Sequence, residues 1–367
     1  MGGLTDNAPV ETPQEGQSAV TPSARIPLHL WMWRRLVRYA PGMLALAAVG
    51  YAALLSSSYL TGLEYVPVAI LFAAFISNTF GVHPALEKGI GTYELWLKAG
   101  IVLLGSQVAF GSLGVFWLKA LPLAALTVIF GVLVVLGLGR LLRLPGNLAA
   151  LLAAGTGICG VSAVLHTGDV IGADDEEIEY AVGAVLVIGA AAVVIYPLVG
   201  TLLDLPETVY GLWTGLSVNN TAEAVATGYT YGAGAVAGNI AIAAKLCRVV
   251  MLGGVVALFA ARVQSDGAAT PPLRRGHLWR RLPKFVFLFF GFSLLAGTGV
   301  LSVEERESLR NVSYWLFLLA FAGIGFKLRW QDIRVVGLRP LLAIGIGSVI
   351  LAAATLAASL ALSSIMF

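Results

Sequence analysis

Apolar residues in this chain come in long unbroken runs, not at every second position and not along one helical face. Segments that are apolar all round are not surface helices, and the lack of alternation excludes membrane strands. About eleven runs approach the ~20 residues that a membrane-crossing helix needs. They cover roughly 41–58, 64–81, 97–117, 120–139, 147–168, 178–203, 207–228, 235–262, 282–300, 309–327 and 336–365. The pattern predicts an all-α polytopic membrane protein with about 11 transmembrane helices. Residues 1–24 hold Pro9, Pro13, Pro22 and several acids but no Lys or Arg, unlike a signal peptide. They read as a disordered cytoplasmic tail. Residues 25–40, with Trp31, Trp33, Arg34, Arg35 and Arg38, read as a basic interfacial segment. The remainder, 41–367, reads as a transmembrane transporter domain.

Composition narrows the class. Hydrophobic residues make up 58% and charged residues 12%, against about 25% charged in an average soluble domain. That balance excludes an ordinary soluble core and extended disorder. Two Cys exclude a disulfide scaffold. Charge placement then orients the spans. With the N-terminus cytoplasmic, most of the 23 Lys and Arg fall in inside segments, while Lys119, Arg306 and Arg310 fall outside. The acidic run Asp174, Asp175, Glu176, Glu177 falls outside as well. The expectation is a multi-pass protein of the cell inner membrane, N-terminus in and C-terminus out.

Two internal similarities suggest repeats, as in many transporters. Gly105 to Phe110 and Gly325 to Trp330 share Gly-x-x-apolar-x-aromatic, seven spans apart, so these copies would be inverted. Thr156-Gly157, Thr167-Gly168 and Gly172-Ala173 recur close to or at an offset of 60 as Thr214-Gly215, Thr227-Gly228 and Gly232-Ala233. On an eleven-span topology that second pair would be parallel.

Three clusters carry candidate chemistry. Gly155, Gly157 and Gly160 stand beside Thr156, Cys159 and Ser162 in one span, and each Gly weakens a helix by roughly 1 kcal/mol relative to Ala. Close helix packing is one reading. The other is a helix broken at the midplane, with freed N–H groups facing an anion. Ser217, Asn219, Asn220, Thr221 and Glu223 crowd a second span, where polar groups must face a cavity or one another. Glu223, with Asn220, suits a coupling proton or cation. Lys245 and Arg248 lie one turn apart near the middle of a third span, too deep to reach an interface. Glu223 and Lys245 at similar depth suggest a pair, which leaves Arg248 for an anion. His166 and Asp169 read as a solvated helix end. No phosphate loop, nucleotide fingerprint, metal cluster or nucleophile–base pair is present. The expectation is therefore no enzyme, no metal and no cofactor.

Gly155-Thr-Gly-Ile-Cys-Gly-Val-Ser-Ala163, Val218-Asn-Asn-Thr-Ala-Glu-Ala-Val-Ala-Thr-Gly228 and Ala244-Lys-Leu-Cys-Arg-Val-Val-Met-Leu252 together resemble the YeiH-like family, labelled sulfate exporters. The resemblance covers most of residues 41–365. It implies kinship with cation/proton antiporters and bile-acid transporters, whose cores cross two interrupted helices. Lys245 and Arg248 match the family's Lys-x-x-Arg. Asn219, Asn220 and Glu223 depart from the His, acid and Gln usual at those positions. The reading is a secondary transporter of a small anion such as sulfate. Its substrate site would comprise Thr156, Gly157, Cys159, Gly160, Ser162, Asn219, Asn220, Thr221, Lys245 and Arg248. Its partners would be the anion, a proton or sodium ion and the lipid bilayer, with no nucleic acid. A homodimer, a cation/proton antiporter using Glu223 and a non-transporting receptor or scaffold stay open.

Overall fold

The computed structural model describes residues 28–59, 65–107, 110–232, 235–265, 284–329 and 337–367. The tail expected over 1–24 lies outside them. The chain divides into two units, Met1–Val37 and Arg38–Phe367. The contacts below are those of the second.

All regular structure among the described residues is helical. In chain order the helices are α1 (Leu28–Tyr59), α2 (Tyr65–Thr79), α3 (Pro84–Ile90), α4 (Tyr93–Leu104), α5 (Phe110–Leu141), α6 (Gly146–Gly157), α7 (Val161–Ile171) and α8 (Asp175–Leu202). Then come α9 (Glu207–Ser217), α10 (Thr221–Tyr229), α11 (Val236–Val250), α12 (Leu252–Ser265), α13 (Lys284–Gly297), α14 (Val303–Lys327) and α15 (Leu338–Met366). Among the described residues, 6 stretches are long and apolar enough to cross a membrane. They lie in α1, α5, α8, α11 with α12, α14 and α15. The expected boundary near residue 119 is absent. Lys119 sits inside α5 and donates to the Ile365 carbonyl at 2.7 Å, and the break falls earlier, after the 3-10 turn Gly105–Gln107.

The larger correction concerns the two Gly- and Asn-rich spans. Each is broken, and each turns back on itself. Gly155 on α6 faces Val164 on α7, and Gly168 on α7 faces Leu151 on α6. Two helices that touch at both pairs run antiparallel. Likewise the Tyr210 hydroxyl on α9 donates to the Thr227 carbonyl on α10 at 3.2 Å. α9 tracks α11 in parallel, with Gly211 at Ala237 and Gly215 at Ala241, while Gly238 of α11 meets Tyr229 at the far end of α10. Both segments are helical hairpins, with tips at residues 158–160 and 218–220. Their arms are 9 to 12 residues long, so each rises at most about 18 Å and spans only about half of a ~30 Å hydrocarbon core.

α8 shows how the hairpins oppose each other. Along its length, Ile178 meets Gly168, Val185 meets Gly155, Gly189 meets Glu223 and Gly200 meets Tyr210. The order is base then tip of the first hairpin, then tip and base of the second. The tips therefore meet beside the middle of α8, and the hairpins enter from opposite ends. This reverses the relation expected for the offset-60 similarity: the copies are inverted, not parallel.

It also moves the acidic run. Because α6–α7 returns to the end it entered from, Asp174 to Glu177 lie at the end that carries Arg140, Arg143 and Lys327. In keeping with this, Glu179 and Tyr180 line a groove together with Lys327 and Arg329. The acids have a local role at the start of α8: Glu177 Oε2 accepts the Asp174 N–H at 3.4 Å, and carboxylates here complement the helix dipole.

The test is sidedness. In a variant lacking Cys159 and Cys247, cysteines placed at Arg143 and at Asp174 should react with an impermeant maleimide from the same side. One placed at Asp204 should react from the other. Opposite sidedness of positions 143 and 174 in intact cells and inverted vesicles would exclude the first hairpin.

Candidate functional site

The hairpin tips leave backbone groups without helical partners near the middle of the molecule. The first arms, α6 and α9, end there with carbonyls, and the second arms, α7 and α10, begin there with N–H groups, that have no partner within their own helix. α11 supplies both cations to the carbonyls. Lys245 Nζ donates to the carbonyls of Ile158 (3.0 Å), Val218 (2.7 Å) and Asn219 (2.6 Å). Arg248 donates from Nε to Gly157 (3.2 Å) and from Nη1 to Val218 (3.1 Å). It also reaches the carbonyls of Leu216 and Thr156. Both side chains are 0% exposed. One residue thus ties both tips with three bonds, and its neighbour one turn on ties them with four.

This changes the roles expected from sequence. Among the described residues no ion pair joins Glu223 to Lys245; the ion pairs are Lys98–Glu94 and Arg310–Glu307. All three Lys245 donors are used on carbonyls. The planar fork of Arg248, expected to grip an anion, spans four backbone carbonyls instead. Thr156 and Gly157 belong to this cap. The Thr156 hydroxyl donates back to Leu152 within its own helix at 2.9 Å.

The other half of the tips faces a cavity of about 660 Å³. Cys159 and Ser162 line it from the first hairpin, and Asn220, Thr221 and Ala222 from the second. α7 and α10 therefore both present their N-terminal turns to one space, from opposite directions. Asn220 caps α10, its Oδ1 accepting the Thr221 N–H at 3.0 Å. Gly160 has φ 75°, and a Cβ there would stand 2.5 Å from the Asn220 Cβ. Only Gly permits this tip-to-tip approach. Asn219 turns away, and its Nδ2 donates to Ser348 Oγ of α15 at 3.0 Å.

Glu223 is 2% exposed and packs against Gly189 of α8. Its Oε2 is buried with no hydrogen-bond partner among the described residues. The cavity walls also hold groups that sequence reading passed over. Lys98, Leu97 and Val102 come from α4, and Lys284 and Phe285 from α13. Lys98 pairs with Glu94 at 2.8 Å, and that i−4 spacing is the signal the sequence offered. His166, expected at a solvated helix end, lines the cavity one turn beyond Ser162.

Electrostatically, the tips separate opposite helix poles. Each helix end carries about half an elementary charge. The two negative ends meet the Lys245 and Arg248 side chains, and the two positive ends lie beside the cavity.

Residues 41–344 match the sequence model of the family described as Conserved hypothetical protein 698. Curated relatives are similar over most of their length. A "UPF0324 membrane protein" of Nitratidesulfovibrio vulgaris is 31% identical over 91% of this chain and 94% of its own. One from Bradyrhizobium diazoefficiens is 30% identical, covering 82% and 86%. One from Listeria monocytogenes is 30% identical, covering 79% and 85%. No solved structure matches the chain significantly.

The cap predicts where stability resides. Arg248→Met removes four bonds and strands buried carbonyls, so it should destabilise the fold by about 3 kcal/mol or more. Thermal unfolding of the purified variant should shift down by roughly 5 °C or more. Ser162→Ala, on the cavity side, should shift it little. An unchanged transition in Arg248→Met would mean that the tips hold without the cap.

Proposed function

The chain belongs to the family described as Conserved hypothetical protein 698 and is a membrane protein, and from that premise we propose that it is a secondary active transporter of a small anion. The observation that carries the proposal is the pair of half-membrane helices, α7 and α10, aimed from opposite sides at one cavity. Such N-termini offer N–H donors and a positive pole to an anion. Ser162 and Thr221 hydroxyls, the Asn220 side chain and Lys98 stand beside them. Lys245 and Arg248 act on the anion through their field and by fixing the tips. Sulfate or a related oxyanion is the proposed substrate class, and export the direction, as the YeiH-like resemblance suggests. No catalytic step is needed.

In the proposed topology nine helical segments cross and the two hairpins re-enter. The basic end faces the cytoplasm of an inner membrane, which keeps the residues before α1 inside and the end of α15 outside. α4 and α13 pack on one another, and Lys98 and Val102 of the one and Lys284 and Phe285 of the other line the cavity beside the tips. Alternating access then consists of movement between that pair of helices and the hairpins. Glu223, buried one turn into α10 with an unpartnered oxygen, is the proposed carrier of the coupling proton or sodium ion.

One observation favours a second reading. With Lys245 and Arg248 engaged on carbonyls, Glu223 is the ionisable group at the tips whose hydrogen bonding is incomplete. A cation/proton antiporter would centre on it.

Uptake into proteoliposomes of a labelled panel of sulfate, sulfonates and carboxylates, with and without proton and sodium gradients, separates the two. For an anion transporter, Ser162→Ala and Thr221→Ala should each raise the half-saturating anion concentration about fivefold, the worth of one hydrogen bond. Glu223→Gln should abolish gradient-driven flux but spare anion exchange. Gradient-driven cation flux with no anion flux in any arm would select the antiporter.

A further inference from the structure

Beside Leu165 of the first hairpin, α8 carries Val182, Leu186, Val187, Ala190 and Val194 along one helical stripe. With Leu71 and Phe75 of α2 it walls a groove of about 1100 Å³. The stripe is continuous and open to the bilayer: Leu71, Phe75 and Val194 are 58%, 66% and 54% exposed. From Tyr180 to Val194 the groove runs 14 residues, about 21 Å of helix. The hairpin tips mark the membrane middle at residues 185 to 189, so the groove runs about 10 Å from Tyr180 to that depth and fits within the ~15 Å of one leaflet.

The basic end of this groove has polar chemistry of both signs. Lys327 and Arg329 line it from the end of α14, and Glu179 from α8. Among the described residues Lys327 and Glu179 are not paired with each other. Asn78 fixes this corner, its Nδ2 donating to the Leu328 carbonyl at 2.6 Å and so tying α2 to the end of α14. The Tyr180 hydroxyl beside it is engaged with Glu176 at 2.9 Å.

We infer that the groove between α2 and α8 binds one phospholipid whose head group carries both a phosphate and a primary ammonium. The phosphate lies at Lys327, the ammonium at Glu179, and an acyl chain follows the α8 stripe. Apolar walls alone would accept any lipid tail. The cation and carboxylate at one rim select a zwitterion with N–H donors, over a purely anionic head group or a trimethylated one. The inference is independent of what the protein transports.

The test uses the full chain, equilibrated with equal amounts of phosphatidylethanolamine, phosphatidylglycerol and phosphatidylcholine of identical acyl chains. Retained lipid is counted by native mass spectrometry. Wild type should retain the ethanolamine lipid about fivefold over each of the others. Glu179→Gln should erase the preference over phosphatidylglycerol, and Lys327→Gln should lower retention of both. Ala190→Phe, which fills the groove, should lower all three. Both charged residues are exposed, so folding should survive, with monodispersity as the control; if one variant fails to fold, the other decides. Equal retention of the three lipids by wild type would overturn the inference. So would a preference that survives Glu179→Gln, or displacement of the lipid by millimolar inorganic phosphate.

Discussion

A helix that stops in the middle of a membrane must find partners for its last carbonyls, because no water is there to bond them. This chain stops two such helices, α6 and α9, at the same depth. Everything else at its centre follows from that constraint. Lys245 and Arg248 stand one turn apart on α11, and both reach both tips. The two types are not interchangeable here. The compact ammonium gathers three carbonyls that converge on a point, and the flat guanidinium bridges carbonyls spread over two chains.

Capping the carbonyls on the α11 side has a consequence on the other side. The second arms begin where the first arms end, and their first turns line the cavity with Ser162 from α7 and Thr221 and Ala222 from α10. A single continuous helix has its poles at the membrane surfaces. A hairpin places both poles at the tip, within one turn of each other. Two opposed hairpins therefore put two positive poles in one buried space, while the matching negative poles are covered. The proposed anion would meet that field whichever side it arrived from. It also explains the absence of a guanidinium contact to the cavity: the field is supplied by backbone, and the side-chain charge holds that backbone still.

Much of the centre was legible in the sequence. Gly155, Gly157 and Gly160 marked a break, Asn219 and Asn220 marked a second, and the depth of Lys245 and Arg248 marked buried charge. The direction of the chain after each break was not legible. Arms of 9 to 12 residues followed by more apolar sequence have the hydropathy of a full span, whether the second arm goes on or turns back. The charge rule then compounded the error. The Asp174 to Glu177 run looked like an outside loop, yet acids count little in that rule, and here they cap α8. The repeat was visible at an offset of 60, but its sense depends on the direction of the arms, so it was read as parallel. The role of Arg248 was misread for a related reason. Its partners are main-chain carbonyls, and these have no letter in the sequence.

Glu223 shows how far the cap constrains the rest. A carboxylate at its depth would ordinarily be neutralised by the nearest cation, and Lys245 is close in sequence and depth. All three Lys245 donors are instead used on tip carbonyls, which have no water to bond them at that depth. Glu223 is left with a half-satisfied carboxylate against Gly189, where a Cβ would stand 3.1 Å from its Cγ and Cδ. The structural demand of the hairpin tips thus leaves an acid with one unpartnered oxygen in the first turn of α10, whose N-terminal residues line the cavity. Whatever binds at Glu223 changes the charge felt at that N-terminus, which is the physical requirement for coupling two solutes in one site.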